Sequence, residues 1–263
     1  MKNNDYICNM RHTGLRDLLR PRPARDIAAV VVCLAVVCLL VFSSIWAYRN
    51  YMTSPPYVDE NKYPIQGIDI SRHNGKVDFK KVANSGVEFV FIKASEGKSH
   101  RDPLYAANFE KSGKAGLQRG AYHFFRFDRE GADQAENFLQ AIGSDIPELP
   151  LVIDVEAAGN PKNVSPQKVT ERLEAMVEYM HLSGHQVMFY TNMDGYYDYI
   201  ADTFPGYPLW ICRFKSNPIN AEWAFWQYDH HGKIDGIKGD VDLNVFSGNR
   251  REWEVFLQEG FPG

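Results

Sequence analysis

The run LVIDVEA, Leu151 to Ala157, is apolar except for two carboxylates, Asp154 and Glu156. Side chains alternate along an extended strand, so Val152, Asp154 and Glu156 share one face and Leu151, Ile153 and Val155 the other, with the two acids about 7 Å apart at the backbone. Charge is costly to bury unpaired, so two acids ending an apolar strand mark a site, an ion pair or a solvent-exposed strand end. GIDIS repeats the pattern with Asp69 opposed to Ile68 and Ile70, and GDVDLNVF repeats it with Asp240, Asp242 and Asn244 on one face. Carboxylates crowded together raise one another's pKa, which keeps one protonated at neutral pH as a general acid beside an anionic partner. A metal site is the competing reading, but the D-x-E pair lacks the dense run of oxygen ligands of a calcium loop. Neither metal nor cofactor is expected.

Aromatic and amide side chains lie near the ends of the same kind of segment: Tyr122, Phe124, Phe125, Tyr190, Trp210, Trp226, Gln227 and Tyr228. Apolar faces of a sugar stack on such rings, although aromatics in strands are more often core. Trp226, Gln227 and Tyr228 form the strongest group, polar-tipped and next to the acidic last strand. His73, His123, His230 and His231 lack zinc-ligand spacing and read as hydrogen-bonding or surface residues.

Positioning these groups falls to short β-type runs that alternate with helical stretches from residue 65 onward. GIDIS, EFVFIKAS, RGAYHFF, LPLVIDVEA, QVMFYTN, PLWICRF, AFWQYD and the run 240–246 give eight strands. Strands alternating with helices predict a parallel sheet, and eight of them an α/β fold of the closed (β/α) barrel type, irregular because helices thin out in the last third. First and last strands are then neighbours, so Asp69 and Asp242 meet Asp154 and Glu156 at the strand ends where barrel sites lie. Asp102-Pro103 and Ser165-Pro166 predict helix starts, and Gly86, Gly116 and Gly184 predict helix ends. A doubly wound open sheet is the alternative, but no G-x-G-x-x-G turn follows the first strand.

Residues 27–47, IAAVVVCLAVVCLLVFSSIWA, are uncharged and as a helix span roughly 30 Å of hydrocarbon. Their length, and Trp46, Tyr48 and Arg49 at the end, favour an uncleaved transmembrane signal-anchor over a cleaved signal peptide or a core helix. The excess of Lys2, Arg11, Arg16, Arg20, Arg22 and Arg25 in the basic tail 1–26 keeps the N-terminus in the cytoplasm. A linker over 48–64 and a domain over 65–263 outside the membrane complete the expected order. Only Cys212 of the four cysteines falls in that domain, which excludes an intradomain disulfide. The net charge of −4 becomes about −7 without the tail, so a basic nucleic-acid face is not indicated.

GIDISRHNG, VEFVFIKASEG, RGAYHFF, LVIDVE, FYTN, PLWICRF, FWQYD and VDLNVF resemble, in order and spacing, the motifs of the glycoside hydrolase family 25 lysozymes, from Ile65 to about Phe256. The resemblance implies an irregular barrel that hydrolyses the β-1,4 bond after N-acetylmuramic acid in peptidoglycan, with the D-x-E glutamate, Glu156, as general acid. By the same resemblance Asp154, Asp69 and Asp242 match the other acidic positions, and Asp154 is expected to orient the 2-acetamido group. A carboxylate nucleophile or an inverting water leaves the stereochemistry open. Cys212, where the family often has a small residue, and the segment AAGNPKNVSP depart from the pattern. The expected partners are peptidoglycan glycan strands and, through residues 27–47, membrane lipid; a monomer at a bacterial cytoplasmic membrane is expected. A membrane-anchored peptidoglycan-binding protein without turnover is the rival reading, and a metal-dependent deacetylase a third.

Overall fold

The computed structural model describes residues 24–53, 58–214, 216–218 and 222–259, in two units divided after Ser54. The basic tail through residue 23, with Cys8, lies outside the described residues.

The first unit is one helix, α1 (Ala24–Thr53). Its stretch Ile27–Asn50 has a mean hydropathy of 2.9 and is not buried against protein. At about 1.5 Å per residue it is long enough to cross a bilayer. A helix apolar on every side, with no core to bury it, has the composition of a membrane span or a signal sequence. Residues 48–53, expected in a linker, continue this helix.

The second unit is a closed barrel. Its elements run β1 (Gln66–Ile70), α2 (Phe79–Asn84), β2 (Val87–Glu96), β3 (His100–Arg101), α3 (Tyr105–Lys114), β4 (Gln118–Phe124), α4 (Gly131–Ile142), β5 (Leu151–Asp154) and α5 (Pro166–Leu182). Then follow β6 (Val187–Asn192), the short α6 (Met193–Gly195) with a π-helical turn over Tyr196–Ile200, β7 (Leu209–Cys212), β8 (Phe225–Gly232), β9 (Val241–Phe246) and α7 (Arg250–Glu259). Eight strands close the ring in the order β1, β2, β4, β5, β6, β7, β8, β9, because β1 pairs with both β2 and β9; β3 hangs outside it as a hairpin on β2. The expectation of an all-parallel ring fails at one strand: β9 runs antiparallel to both β8 and β1. Residues 233–240 contain no helix, and so short a connection turns the chain back as a hairpin.

Alternation sorts the side chains into two layers. Ile68, Ile70, Val90, Ile92, Ile153, Val155, Phe189 and Ile211 point outward under the helices. Phe89, Phe91, Val152, Met188, Trp210, Phe225 and Phe246 point inward, and Trp253 and Phe256 of α7 join the same inner cluster. Large inner rings need glycine opposite them: a Cβ on Gly67 would lie 2.2 Å from the Phe89 ring, and one on Gly120 2.2 Å from Phe91. Ser165 caps α5 through its side chain with Pro166 in the first turn, as the sequence predicts, and Gly86, Gly116 and Gly184 take positive φ just past α2, α3 and α5. Asp102 does not cap α3, which starts two residues later than expected; its carboxylate instead accepts from the backbone N–H of Arg72 at 2.8 Å and of Leu104 at 2.9 Å.

Candidate active site

Several strands carry a polar group on the inward face at the mouth of the barrel. β1 brings Asp69 and β9 brings Asp242 directly opposite it in register. Asp69 Oδ2 accepts from Gln227 Nε2 at 2.8 Å and from Asn244 Nδ2 at 2.9 Å. Burial raises Asp69 to about 6 against the pull of these donors and of a hydrogen bond from Asp242. Burial, then the Asp69 charge and that same bond, push Asp242 up to about 9. Between them the pair shares one proton in the hydrogen bond that joins Asp242 to Asp69.

β5 supplies the other two acids. Phe125 N–H donates to the Asp154 carbonyl at 2.9 Å, and Val155 N–H to the Tyr190 carbonyl at 2.8 Å. Thr191 Oγ1 donates to the Val155 carbonyl at 2.7 Å. The chain leaving the strand is thus held from both neighbours. Asn160 completes the hold: its Nδ2 donates to the carbonyls of Phe125 and Glu156, both at 2.9 Å, and its Oδ1 accepts from Phe127 N–H at 2.9 Å. Burial and then the Glu156 charge hold Asp154 well above the ordinary carboxylate range. Burial and then the Asp69 charge raise Glu156, with Lys93 opposing. Asp154 Oδ1 is buried and has no hydrogen-bond partner among the described residues. Asp69 and Glu156 thus act on Asp154 and also on Asp242, which links the four acids into one electrostatic cluster.

The expected aromatic residues divide by strand face. Tyr122, beside Asp69, Asp154 and Asp242, and Tyr190, whose hydroxyl donates to Gln227 Oε1 at 2.8 Å, belong to the acidic cluster. Phe124 is half-buried, with Lys93 Nζ 4.9 Å from its ring centre. Trp210 lies deeper, stacked on Phe91 at 4.4 Å with its indole N–H donating to Asn244 Oδ1 at 2.7 Å. At 2% exposure it presents no face to a ligand and instead supports the floor. Trp226 and Tyr228 are not brought to the acids. They lie on the outer face of β8 with Tyr63 and Trp223, and the Trp226 indole donates to the Arg213 carbonyl at 2.7 Å. Only Gln227, between them, points inward.

Sequence reasoning missed three participants. Lys93 continues the inward series of Phe89 and Phe91, bonds Glu96 at 2.8 Å and influences both Asp154 and Glu156. A lone charge ending an apolar strand, the signal that marked Asp154, also marks Lys93. Asn244 was placed on the right face but not in the site. Cys212 lies within the field of Glu156, Asp69 and Asp242, and burial pushes its thiol up to about 12. His123 is structural: buried, with Nδ1 2.8 Å from Ser95 Oγ and Nε2 3.2 Å from Gln134 Oε1. Among the described residues no three His, Cys, Asp or Glu side chains are disposed to hold a metal ion.

Residues 68–237 match the family described as Glycosyl hydrolases family 25. The chain is 35% identical over 204 residues to the "Uncharacterized protein YegX" of Escherichia coli strain K12, covering 74% of each. It is 34% identical to the "Autolytic lysozyme" of Clostridium acetobutylicum, covering 70% of this chain and 56% of that one. A solved family 25 glycosyl hydrolase from Bacillus anthracis superimposes with a TM-score of 0.70 at 32% identity, covering 80% of this chain and 99% of that one.

Proposed function

This chain belongs to glycosyl hydrolases family 25, and on that premise we propose that it is a muramidase, cutting the β-1,4 bond between N-acetylmuramic acid and N-acetylglucosamine in peptidoglycan. The observation that carries the reading is the convergence of four carboxylates at the barrel mouth, one of them with a buried oxygen that has no hydrogen-bond partner among the described residues. An unsatisfied buried acceptor is costly, and a substrate amide N–H is the kind of donor that satisfies it.

In this mechanism Asp154 accepts the N–H of the 2-acetamido group. That bond favours the ionised form of Asp154 and so leaves the proton of the pair on Glu156. Glu156 donates it to the glycosidic oxygen as the bond to the anomeric carbon breaks. The acetamido oxygen, made more nucleophilic by Asp154, forms the new bond to that carbon from the opposite face. Water then opens the cyclic intermediate, losing its proton to Glu156, and the configuration is retained after two inversions. The Asp69 charge, after burial, keeps Glu156 protonated, and Phe124 and Tyr122 offer surface to the sugars.

We read α1 as an uncleaved anchor, with the N-terminus inside a bacterial cytoplasmic membrane and the barrel outside it, acting as a monomer. The test of activity is release of new reducing ends from purified peptidoglycan by the full chain. Glu156→Gln should lower it by about 10²–10⁴-fold, the usual contribution of a general acid. Release no greater than that of the variant would leave a binding protein in place of an enzyme.

A further inference from the structure

Away from the mouth, α2 and α3 border a groove of about 850 Å³ on the outer wall of the barrel. Four of its lining residues are lysines, Lys76, Lys80, Lys111 and Lys114, all exposed, against one acid, Asp78. Lys114 is paired with Glu110, while Lys76, Lys80 and Lys111 form no ion pair among the described residues. The Asp78 carboxylate is engaged in capping α2 through Lys81 N–H. Four cations around one groove repel one another, and they stand out on a chain of net charge −4.

One end of the groove is tied to the segment that leads into Asp242. Lys76 lies two residues past Asn74, whose side-chain amide donates to the Asp240 carbonyl at 3.3 Å, two residues before Asp242. Gly236 closes the wall here: its carbonyl accepts from Asp78 N–H at 2.9 Å, and a Cβ in its place would fall 2.5 Å from the Asp78 carbonyl oxygen. From this rim the groove follows α2 and α3, the longer of which, at ten residues, extends about 15 Å. Four extended residues of peptide cover about 13 Å.

Resting on the muramidase reading, we propose that this lysine groove is a subsite for the short, carboxylate-bearing peptide carried by the muramic acid of peptidoglycan, so that the enzyme reads the peptide as well as the glycan. Length and charge match that ligand, and Lys76 follows the end of β1 by six residues.

The test compares kcat/KM of the full chain on glycan strands with intact peptides and on strands stripped of them. Wild type should favour the peptide-bearing strands by about 2- to 10-fold, the scale of two or three exposed charge contacts, and the preference should fade with added salt. The double variant Lys80→Gln/Lys111→Gln should lose that preference yet cut stripped strands at the wild-type rate. Equal wild-type rates on both strands, or a variant that keeps the preference, would overturn the proposal. A binding arm is independent of catalysis: anisotropy of a fluorescein-labelled stem tetrapeptide, Ala-γGlu-diaminopimelate-Ala, should show binding that the double variant weakens. Binding only to a glycerol-phosphate polymer or to anionic vesicles would overturn it in favour of a different polyanion. Retained peptide binding with no cleavage of either strand would sink the muramidase reading while leaving the groove assignment standing.

Discussion

A carboxyl group buried beside other carboxyl groups gains a proton at a cost in stability, and Asp242 shows how the sign falls. Its folded-state value of about 9 lies above its ordinary value of 3.8. Between those limits the folded chain keeps a proton that the unfolded chain releases, so the contribution to stability declines as pH rises from about 4 to about 9. Asp242→Asn should therefore raise Tm at pH 8 by about 2–4 °C, equivalent to about 1 kcal/mol, with the gain vanishing near pH 4; a lower Tm at pH 8 would contradict this. Catalysis should respond at the same scale. The Asp69 charge is, after burial, the leading cause of the raised Glu156 value. Asp69→Asn should shift the alkaline limb of the kcat/KM profile to lower pH, as Glu156 ionises more readily. Asp154, Glu156, Asp69 and Asp242 are legible in the sequence because each interrupts an apolar strand on its inward face. The same rule applied to FWQYD sends Phe225 and Gln227 inward and Trp226 and Tyr228 outward; grouping residues 226–228 as neighbours overlooked it. The unpaired Asp154 oxygen has no sequence signal, since satisfaction of a buried atom depends on every element around it.

Elements fix the acids through few contacts. The D-x-E segment continues past the last ladder bond of β5 and is held by Asn160, whose side chain makes three bonds across the Phe125–Asn160 region. Asn160→Ala should cost about 1–3 kcal/mol by leaving those backbone groups unpaired, and kcat should fall more than KM rises as Glu156 loses its position. An unchanged kcat would show that Glu156 is positioned without it. Packing of α4 on α5 is equally tight at one point: a Cβ on Gly131 would lie 1.8 Å from the Arg172 carbonyl oxygen. Gly131→Ala should lower Tm markedly, because backbone of the facing helix has to move; a neutral result would mean that the two helices can separate freely. Helices ending in glycine and the Ser165-Pro166 start were readable from local chemistry. The reversal of β9 was not, because strand direction is set by the length of the 233–240 connection and by pairing with β1, both of which lie outside any single run of residues.

At the scale of the molecule, a closed ring is what turns distant positions into one site: Asp69 and Asp242 are 173 residues apart in the chain and adjacent in register. Eight apolar runs and the neighbouring first and last strands were enough to infer closure, whereas the base, filled by Trp253 and Phe256 of α7, was not foreseen because α7 follows the last strand and its role appears only once the ring exists. The anchor reading has its own test. The full chain should stay with membranes after alkaline carbonate extraction and keep its intact mass, and release of a species shortened by about 50 residues would identify a cleaved leader instead. The chemistry of the products tests the roles of Glu156 and Asp154 most directly. Mass spectrometry and NMR of the first fragments released from defined peptidoglycan should show N-acetylmuramic acid at the new reducing ends, in the β configuration before mutarotation, and about 10²–10⁴-fold fewer such ends with Glu156→Gln. New ends bearing N-acetylglucosamine, or ends of α configuration, would contradict the roles given to Glu156 and Asp154.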